Sequence, residues 1–443
     1  MKYYNLGSRK QKVDFSTAVL QGIAPDKSLY FPEYIPKLRN DFISNIEKLS
    51  DDEIAYQVIS PFIGDSIPPK ELKGIIKSTL TFDFPLVPIE KNIFSLELFH
   101  GPTLAFKDVG ARFMAHTLDY LRPLVGEKYM TVLVATSGDT GGAVANAFFE
   151  FHDIRTIIVF PKGKVSEIQE AQITSSANKD HIEAFELDGT FDTCQDFVKR
   201  AFVDKEINDF LTLTSANSIN IARLLPQMFY YFLAYKQLKN KKTPIVCSVP
   251  SGNFGNLCAG LFAKEMGLPI DHFMASTNRN NTVVHYLNDG TYHPIVPSIK
   301  TISNAMDVGQ PSNFVRIQEL YGINTNNDMG LESLKKVLLG YWFTDDQAKQ
   351  AIKELYQKRQ YIADPHGAIG YLGLKSFLKK QENSDKYQGI FLETAHPIKF
   401  RDDVEKIIHK KISMPNSLKE TLDNDLPRTL LWNYPQFKSY LMI

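Results

Sequence analysis

The 443-residue chain has little cysteine, no excess of charge of either sign and no long uninterrupted apolar run. Its three cysteines, Cys194, Cys247 and Cys258, are odd in number and lack metal-ligand spacing, which argues against a disulfide framework or a zinc site. Lys plus Arg equals Asp plus Glu at 50 each, whereas nucleic-acid-binding proteins usually carry a basic excess. We therefore expect no metal, no nucleic-acid partner and reduced thiols.

The sequence also lacks membrane and export signals. The most apolar long stretch, residues 224–235, is too short to span a bilayer and is broken by Pro226 and Gln227. Residues 1–15 carry charges throughout and contain no apolar core segment of a secretory signal. We therefore expect a cytoplasmic protein without membrane contact.

The two ends of the chain differ in sequence pattern from its middle. Residues 1 to about 90 are predicted to be mostly helical, with a capping-box pattern from Ser50 to Glu53 that opens one helix. Residues 406–443 contain many Asn, Pro, Asp and aromatic residues near their end and are predicted to be an extension packed on the surface. Both ends are thus expected to flank a separate catalytic region.

The middle of the chain, residues 91–405, alternates short β-rich runs with longer helical patterns. Clear examples of such runs are 131–134, 156–160 and 244–249. Near-continuous apolar strands with helices between them are typical of parallel sheets covered on both faces. We predict an α/β architecture in which a smaller subdomain occupies roughly residues 100–220.

Two segments share one plan, in which a buried strand runs into a glycine-containing turn and then into a helix. The first turn covers residues 136–142 and its helix is predicted from Ala143; the second covers 250–256 and its helix is predicted from Leu257. The first backbone N–H groups of such a helix lack partners, so a phosphate or carboxylate is stabilised there. Two turns predict either two anions or one ligand held at both ends.

Glycine after a strand is also common turn chemistry, which leaves a purely structural role open for either loop. Neither loop contains the G-x-G-x-x-G fingerprint or the Lys-Ser/Thr ending of a P-loop. The stretches that follow end at 160–162 and 275–277 without the acidic residue that holds a ribose. The pattern therefore disfavours dinucleotide binding.

A lysine lies between an apolar run and a predicted helix. Lys107 directly follows the apolar residues 104–106, and the helical pattern covers 109–121. An apolar wall disfavours the ammonium ion and lowers the lysine pKa, and only the neutral amine attacks an aldehyde. A solvated lysine that caps the helix or pairs with Asp108 would have the same local sequence, so both interpretations stay open here.

Several segments together resemble one known family. The string from Glu97 to Asp108 is similar to the cofactor-lysine segment of the threonine synthase family, which consists of fold-type-II pyridoxal-phosphate enzymes related to the tryptophan synthase β-subunit. Further similar segments occur in the expected order and cover most of the chain, at 15–30, 137–141, 162–166, 218–223, 251–256, 304–309 and 394–397. The resemblance implies two three-layer α/β domains with parallel sheets beside the helical N-terminal segment.

The resemblance also implies how the cofactor is held. Lys107 would be the catalytic residue and would carry pyridoxal 5'-phosphate as a Schiff base, with Asp139 near the phenolic oxygen of the cofactor. Thr394 would place its hydroxyl at the pyridine nitrogen, although a hydroxyl at a strand end also often bonds its own backbone. The cofactor phosphate would rest on the second turn, formed by Gly252, Asn253, Phe254, Gly255 and Asn256.

The implied substrate is O-phospho-L-homoserine, whose carboxylate would lie on the first turn at Ser137, Gly138 and Thr140. Arg223 is the first candidate for its phosphate, because a planar guanidinium suits that group. A second candidate patch consists of Lys162 and Lys164 beside Ser166. Arg223 and both lysines would also suit a plain surface position.

Some positions are left without a role or depart from the family pattern. His100 and His396 are assigned no proton transfer, since each also suits a hydrogen-bonded core position. Residues 26–29 replace glycines that are usual in the family, and Glu393 stands where a smaller residue is typical, beside the predicted partner of the pyridine nitrogen.

The implied reaction is a β,γ-elimination of phosphate followed by addition of water to give L-threonine, carried out by a pyridoxal-phosphate lyase that is a monomer or a homodimer. Two alternatives stay open. The first is a phospho-lyase of the same fold that stops at 2-oxobutyrate. The second is a non-catalytic binding protein, although such a protein would be expected to have lost the lysine or a glycine loop, and both are present.

Overall fold

A computed structural model describes residues 1–175, 180–323, 328–422 and 429–443. The strands are β1 (Tyr3–Asn5), β2 (Lys12–Val13), β3 (Tyr30–Pro32), β4 (Leu86–Glu90), β5 (Ile93–Glu97), β6 (Met130–Ala135), β7 (Ile154–Pro161), β8 (Ile182–Leu187), β9 (Leu213–Ser215), β10 (Ile245–Pro250), β11 (His272–Thr277), β12 (Leu338–Trp342), β13 (Gln388–Glu393) and β14 (Thr429–Leu431).

The helices are α1 (Phe15–Gln21), α2 (Asn40–Asn45), α3 (Asp51–Ile63), α4 (Pro69–Thr79), α5 (Lys107–Leu124), α6 (Asp139–Phe148), α7 (Glu167–Thr174), α8 (Phe191–Ala201), α9 (Lys205–Phe210), α10 (Ile221–Leu224), α11 (Phe229–Gln237), α12 (Gly255–Glu265), α13 (Thr282–Asp289), α14 (Phe314–Leu320), α15 (Asp328–Lys335), α16 (Asp345–Arg359), α17 (Pro365–Lys379), α18 (Arg401–Ile408), α19 (Asn416–Leu422) and α20 (Tyr434–Leu441). Within the described ranges, no helix is both long and apolar enough to cross a membrane.

Two sheets carry the middle of the chain. The larger has the strand order β12-β11-β10-β13-β5-β4, and all its neighbours are parallel except β4, which runs antiparallel to β5. The smaller has the order β14-β8-β7-β6-β9 with parallel neighbours throughout. Strands β6, β10 and β13 are buried along their whole length, as expected for strands covered by helices on both faces. The predicted α/β architecture with two parallel sheets is confirmed.

The N-terminal region contains the predicted helices and also a small sheet that the sequence did not indicate. Ser50 and Glu53 form the predicted capping box at the start of α3, and Pro69 opens α4. Strands β1 to β3 form an antiparallel sheet in the order β2-β1-β3. These strands have only two or three residues each, too few to show a hydrophobic period.

Part of the C-terminal extension belongs to the smaller sheet and its core. Its strand β14 pairs in parallel with β8 and becomes an edge of the smaller sheet. Leu431 of this strand and Phe437 and Leu441 of α20 are fully buried in the core on that side. The expectation that residues 406–443 only pack over the surface is therefore wrong for this part, while the division of the chain at about residues 90 and 405 stays a prediction.

Candidate active site

The predicted cofactor lysine lies where two chain segments meet, the start of α5 and the end of β13. Lys107 is the first residue of α5, two residues earlier than the helical pattern indicated. The segment before it is held against the end of β13, because the N–H of Phe106 donates to the carbonyl of Thr394 at 2.9 Å and Ala105 forms an antiparallel bridge with Ala395. These contacts fix Lys107 and Thr394 side by side.

Most of the predicted site residues line one cavity at the carboxyl ends of the two parallel sheets. The loops that follow β6, β10 and β13 all open onto it, as usual for ligand sites of α/β sheets. The predicted residues that line the cavity are Lys107, Ser137, Asp139, Thr140, Arg223, Gly252, Asn253, Phe254, Gly255, Asn256 and Thr394.

The second glycine turn is open toward an anion. Helix α12 begins at Gly255, two residues before the predicted start, and Phe254 before it adopts a left-handed backbone with φ 61°. In the described parts of the chain, the backbone N–H groups from Gly252 to Leu257 have no backbone acceptor. The Nδ2 atom of Asn256 is also buried without a partner. Unpaired donors at a helix start are what a phosphate requires.

Close packing explains the glycine at the start of this turn. A Cβ atom on Gly252 would lie 2.7 Å from the Cα of Met306 and 2.9 Å from the carbonyl oxygen of Ala305. Any side chain would push the turn away from this neighbouring loop. Asn253 fixes the turn further, because its Oδ1 accepts from the N–H of Ser312 at 2.6 Å.

The first glycine turn also presents backbone N–H groups without acceptors. Helix α6 begins at Asp139, four residues before the predicted start, so the turn supplies the first residues of the helix. Gly138 does not line the cavity; its φ of 140° shapes the turn, and its N–H donates to the Oγ1 of Thr136 at 3.0 Å. The N–H groups of Ser137, Asp139 and Thr140 have no acceptor among the described residues.

Asp139 is buried between two lysines. Its Oδ1 lies 2.8 Å from the Nζ of Lys399, and its Oδ2 lies 3.6 Å from the Nζ of Lys107. Gln169 also donates to Oδ1, at 2.9 Å. Burial alone would raise the pKa of this carboxyl, but Lys399 and then Lys107 outweigh burial and hold the pKa well below its ordinary value. Asp139 is therefore an ionised carboxylate.

The amine of Lys107 is shifted toward its neutral form. Burial lowers its pKa first, Asp139 opposes this effect, and the positive charges of Lys399 and Arg223 lower the pKa further. Its Nζ also lies 4.7 Å from the ring centroid of Phe106. The apolar contact expected from residues 104–106 is thus present through the Phe106 ring. The charged side chains of Asp139, Lys399 and Arg223 also act on the amine.

Arg223 presents a partly unpaired cation to the cavity. Its Nη1 donates to the carbonyl of Ala216 at 2.7 Å, while its Nε is buried and has no partner among the described residues. Burial lowers the pKa of this guanidinium to about 10, which still leaves it charged at neutral pH. A buried, charged and partly unpaired guanidinium suits an anionic ligand.

The second cationic patch lies elsewhere. Lys162 and Lys164 are exposed and do not line the cavity. Ser166 is the N-cap of α7, where its Oγ accepts from the N–H of Gln169. The structure therefore does not bring these three residues to the predicted site, although Gln169 links α7 to it through Asp139.

Two residues of the site were missed from the sequence: His366, which lines the cavity, and Lys399, which lies outside the lining but contacts Asp139. Lys399 has a fully buried side chain and stands in an apolar stretch a few residues beyond Thr394, where a lone lysine could have been noticed. His366 lines the cavity from the start of α17, directly after an Asp-Pro helix start that also carries a sequence signal. Glu393 does not line the cavity.

The predicted cofactor fits this cavity. An amine with a lowered pKa suits its aldehyde, the unpaired N–H groups of residues 252–257 suit its phosphate, and the buried donor of Asn256 lacks a partner that the phosphate would supply.

Comparisons with known proteins agree with this geometry. The family described as "Pyridoxal-phosphate dependent enzyme" matches residues 84–392, "Threonine synthase N terminus" matches residues 2–80, and "Threonine synthase, C-terminal" matches residues 367–431. The chain is 43% identical to threonine synthase from Haemophilus influenzae over 100% of both chains.

Solved structures extend the likeness to three dimensions. Threonine synthase from Escherichia coli is similar with a TM-score of 0.91 at 40% identity, covering 100% of this chain and 99% of that chain. A structure of threonine synthase from Brucella melitensis with bound pyridoxal phosphate is similar with a TM-score of 0.91 at 34% identity, covering 100% and 99% of the two chains.

Proposed function

The chain belongs to the threonine synthase family of pyridoxal-phosphate-dependent lyases, and from this premise we propose that it converts O-phospho-L-homoserine and water to L-threonine and phosphate. The observation that carries the proposal is the position of Lys107, a buried amine in one cavity with two helix starts that each present unpaired N–H groups. The reaction needs this combination, because the amine and one helix start must hold the cofactor while the other helix start holds the substrate carboxylate.

The residues that would hold the cofactor lie around Lys107. The turn of residues 252–256 would bind the phosphate, Lys107 the aldehyde carbon, and the Thr394 hydroxyl the pyridine nitrogen. Asp139 would lie near the phenolic oxygen. When bound, pyridoxal phosphate supplies an electron sink that makes the Cα–H bond of an amino acid acidic.

Lys107 would move the carbon-bound protons. With cofactor and substrate bound, the free Nζ of Lys107 would be the base that takes the proton from Cα. The lowered pKa of Lys107 favours this task, since a fully protonated lysine could not accept a proton near neutral pH. The ion pair between Asp139 and Lys399 keeps the charge next to the amine fixed through the cycle.

Two anion sites would orient the substrate. The free N–H groups of Ser137, Asp139 and Thr140 suit its carboxylate. Arg223 suits its phosphate better than Lys162 or Lys164, because Arg223 lines the cavity and the two lysines are exposed outside it. Holding both ends keeps the Cγ–O bond aligned for loss of phosphate. We also propose that the enzyme is a monomer or homodimer and that it acts in the cytoplasm, a location that its buried, unpaired cysteines support.

The experiment compares purified wild-type protein with Lys107→Ala and with Lys242→Ala, a control at an exposed lysine that does not line the cavity. We expect visible cofactor absorbance, and phosphate and threonine in equal amounts from O-phospho-L-homoserine, in the wild type and the control only. Equal phosphate and 2-oxobutyrate would favour the phospho-lyase instead. A wild type that takes up pyridoxal phosphate but releases no phosphate would refute both enzymatic activities.

A further inference from the structure

A histidine and two carboxyl groups lie beside the cavity and have no part in the function proposed above. His366 lines the cavity, and its side chain is almost completely buried. Its Nδ1 lies within hydrogen-bond distance of the Oδ1 of Asp364, and its Nε2 has no partner among the described residues. A ring with one nitrogen anchored on a carboxylate and the other left for a ligand is the arrangement of a positioned proton acceptor.

The start of α17 holds this ring in place. Asp364 is the N-cap of the helix and accepts from the N–H groups of His366 and Gly367, at 2.7 and 3.4 Å. The ring of Phe400 packs edge-on against the imidazole, with the centroids 4.9 Å apart. The carboxylate is thus immobilised by the backbone, and the imidazole is immobilised by the carboxylate and by Phe400.

Glu393 lies beneath this pair. It is fully buried, its Oε2 accepts from the N–H of Asp364 at 3.3 Å, and a Cβ on Gly367 would collide with its carboxyl group. Burial first, and then the charge of Asp364, raise the pKa of Glu393 well above its ordinary value, which favours its neutral form. The negative charge of the carboxyl pair therefore lies on Asp364, next to the imidazole.

Other proton acceptors of the cavity are already engaged. Among the described lining residues, Lys107, Asp139 and His366 are the side chains that could accept a proton, since Arg223 stays charged. Both oxygens of Asp139 contact lysines, which weakens this carboxylate as a base. Lys107 serves the carbon-bound protons. His366 is the acceptor that remains.

Resting on the proposed function, we propose that His366 is a second catalytic residue, the base for the water that adds at Cβ, and that Asp364 is its positioning residue. As the water oxygen bonds to Cβ, its O–H bond breaks and the proton goes to Nε2 of His366. The electron pair of the Cα–Cβ double bond moves to Cα, which then takes a proton from the ammonium of Lys107. The imidazolium passes its proton to the released phosphate, and Asp364 balances its charge meanwhile.

The test is His366→Gln, which keeps hydrogen-bonding atoms but removes the base, with His272→Gln as control. His272 also has a ring nitrogen without a partner but does not line the cavity. Cofactor absorbance and phosphate release report on the proposed function, whereas the ratio of threonine to 2-oxobutyrate reports on water addition. We expect H366Q to keep the first two and to form threonine about 10²-fold more slowly, the usual contribution of a general base, with 2-oxobutyrate in its place.

An unchanged threonine fraction in H366Q would overturn the proposal while leaving the proposed function intact. A second measurement decides the matter if this variant does not fold or bind cofactor. In the wild-type protein labelled with ¹⁵N-histidine, NMR at mildly alkaline pH should show one imidazole protonated on Nδ1 and bare on Nε2. If the imidazole that contacts the Phe400 ring instead carries its proton on Nε2, His366 cannot be the base.

Discussion

Replacing Lys399 by methionine should destabilise the fold and change the titration of Lys107. The methionine side chain is of similar length but carries no charge, so the change removes the 2.8 Å ion pair with Asp139 and leaves packing largely in place. The side chains of the pair are 0% and 3% exposed, and removing one partner of such a buried pair costs about 3–5 kcal/mol. Because Lys107 and Gln169 still contact Asp139, we expect the lower end, about 3 kcal/mol.

The assay is urea unfolding of the cofactor-free protein, with Lys205→Met as control. Lys205 forms a surface pair with Asp209 in which the side chains are 90% and 66% exposed, and such pairs contribute about 0–1 kcal/mol. If K399M loses no more stability than K205M, the pair with Asp139 does not hold the site together, and the reasoning fails.

The pH dependence of the same variant gives a second check. Lys399 lowers the pKa of Asp139, so its stabilising contribution is complete above the ordinary aspartate pKa and shrinks as the pH falls and Asp139 is protonated. Lys399 also lowers the pKa of Lys107, so its loss should raise that pKa and move cofactor attachment to more alkaline pH. A stability difference that grows toward acid pH would contradict the assigned sign.

Three further perturbations test other parts of the site. Gly252→Ala places a Cβ 2.7 Å from the Cα of Met306, which should cost about 1–3 kcal/mol and weaken cofactor binding in a titration; unchanged affinity would show that the turn is not the phosphate site. Arg223→Lys keeps the charge but loses the planar fork, so KM for O-phospho-L-homoserine should rise about tenfold, and an unchanged KM would place the substrate phosphate elsewhere. Burial raises the pKa of Glu393 and favours its neutral form, so Glu393→Gln should change the free energy of unfolding in urea at neutral pH by less than about 1 kcal/mol, whereas a charged Glu393 would give a larger effect.

The parts of the site that follow from local sequence were predictable. A strand, a glycine turn and a helix form a contiguous unit, so the turns at 136–142 and 250–256 could be recognised as helix starts with free N–H groups from the order of residues alone. Their helices began earlier than predicted, because the glycine turns themselves adopt helical geometry from Asp139 and Gly255. Glycine has a low helix propensity, so the helices were predicted to begin only after the glycine turns. In the structure the glycines of these turns are part of the first helical turn.

The parts that depend on distant contacts were not predictable. Lys399 acts only because Asp139, far away in the sequence, lies 2.8 Å from its amine. His366 becomes notable only when its ring is seen to line the cavity with one nitrogen unpaired. Neither residue has a spacing motif. Conversely, Lys162 and Lys164 looked suitable because they are cations in a matching segment, but charge alone does not indicate on which face a residue lies.

The pairing of β14 with β8 ties the order of synthesis to the order of folding. Residues 130–215 supply four strands of the smaller sheet, yet the partner of Phe185 is Thr429, which leaves the ribosome only after every strand of the larger sheet. Until then the edge of β8 would be open, and open strand edges attract other chains. We expect nascent chains that stop before residue 429 to depend on chaperones and to aggregate when these are depleted.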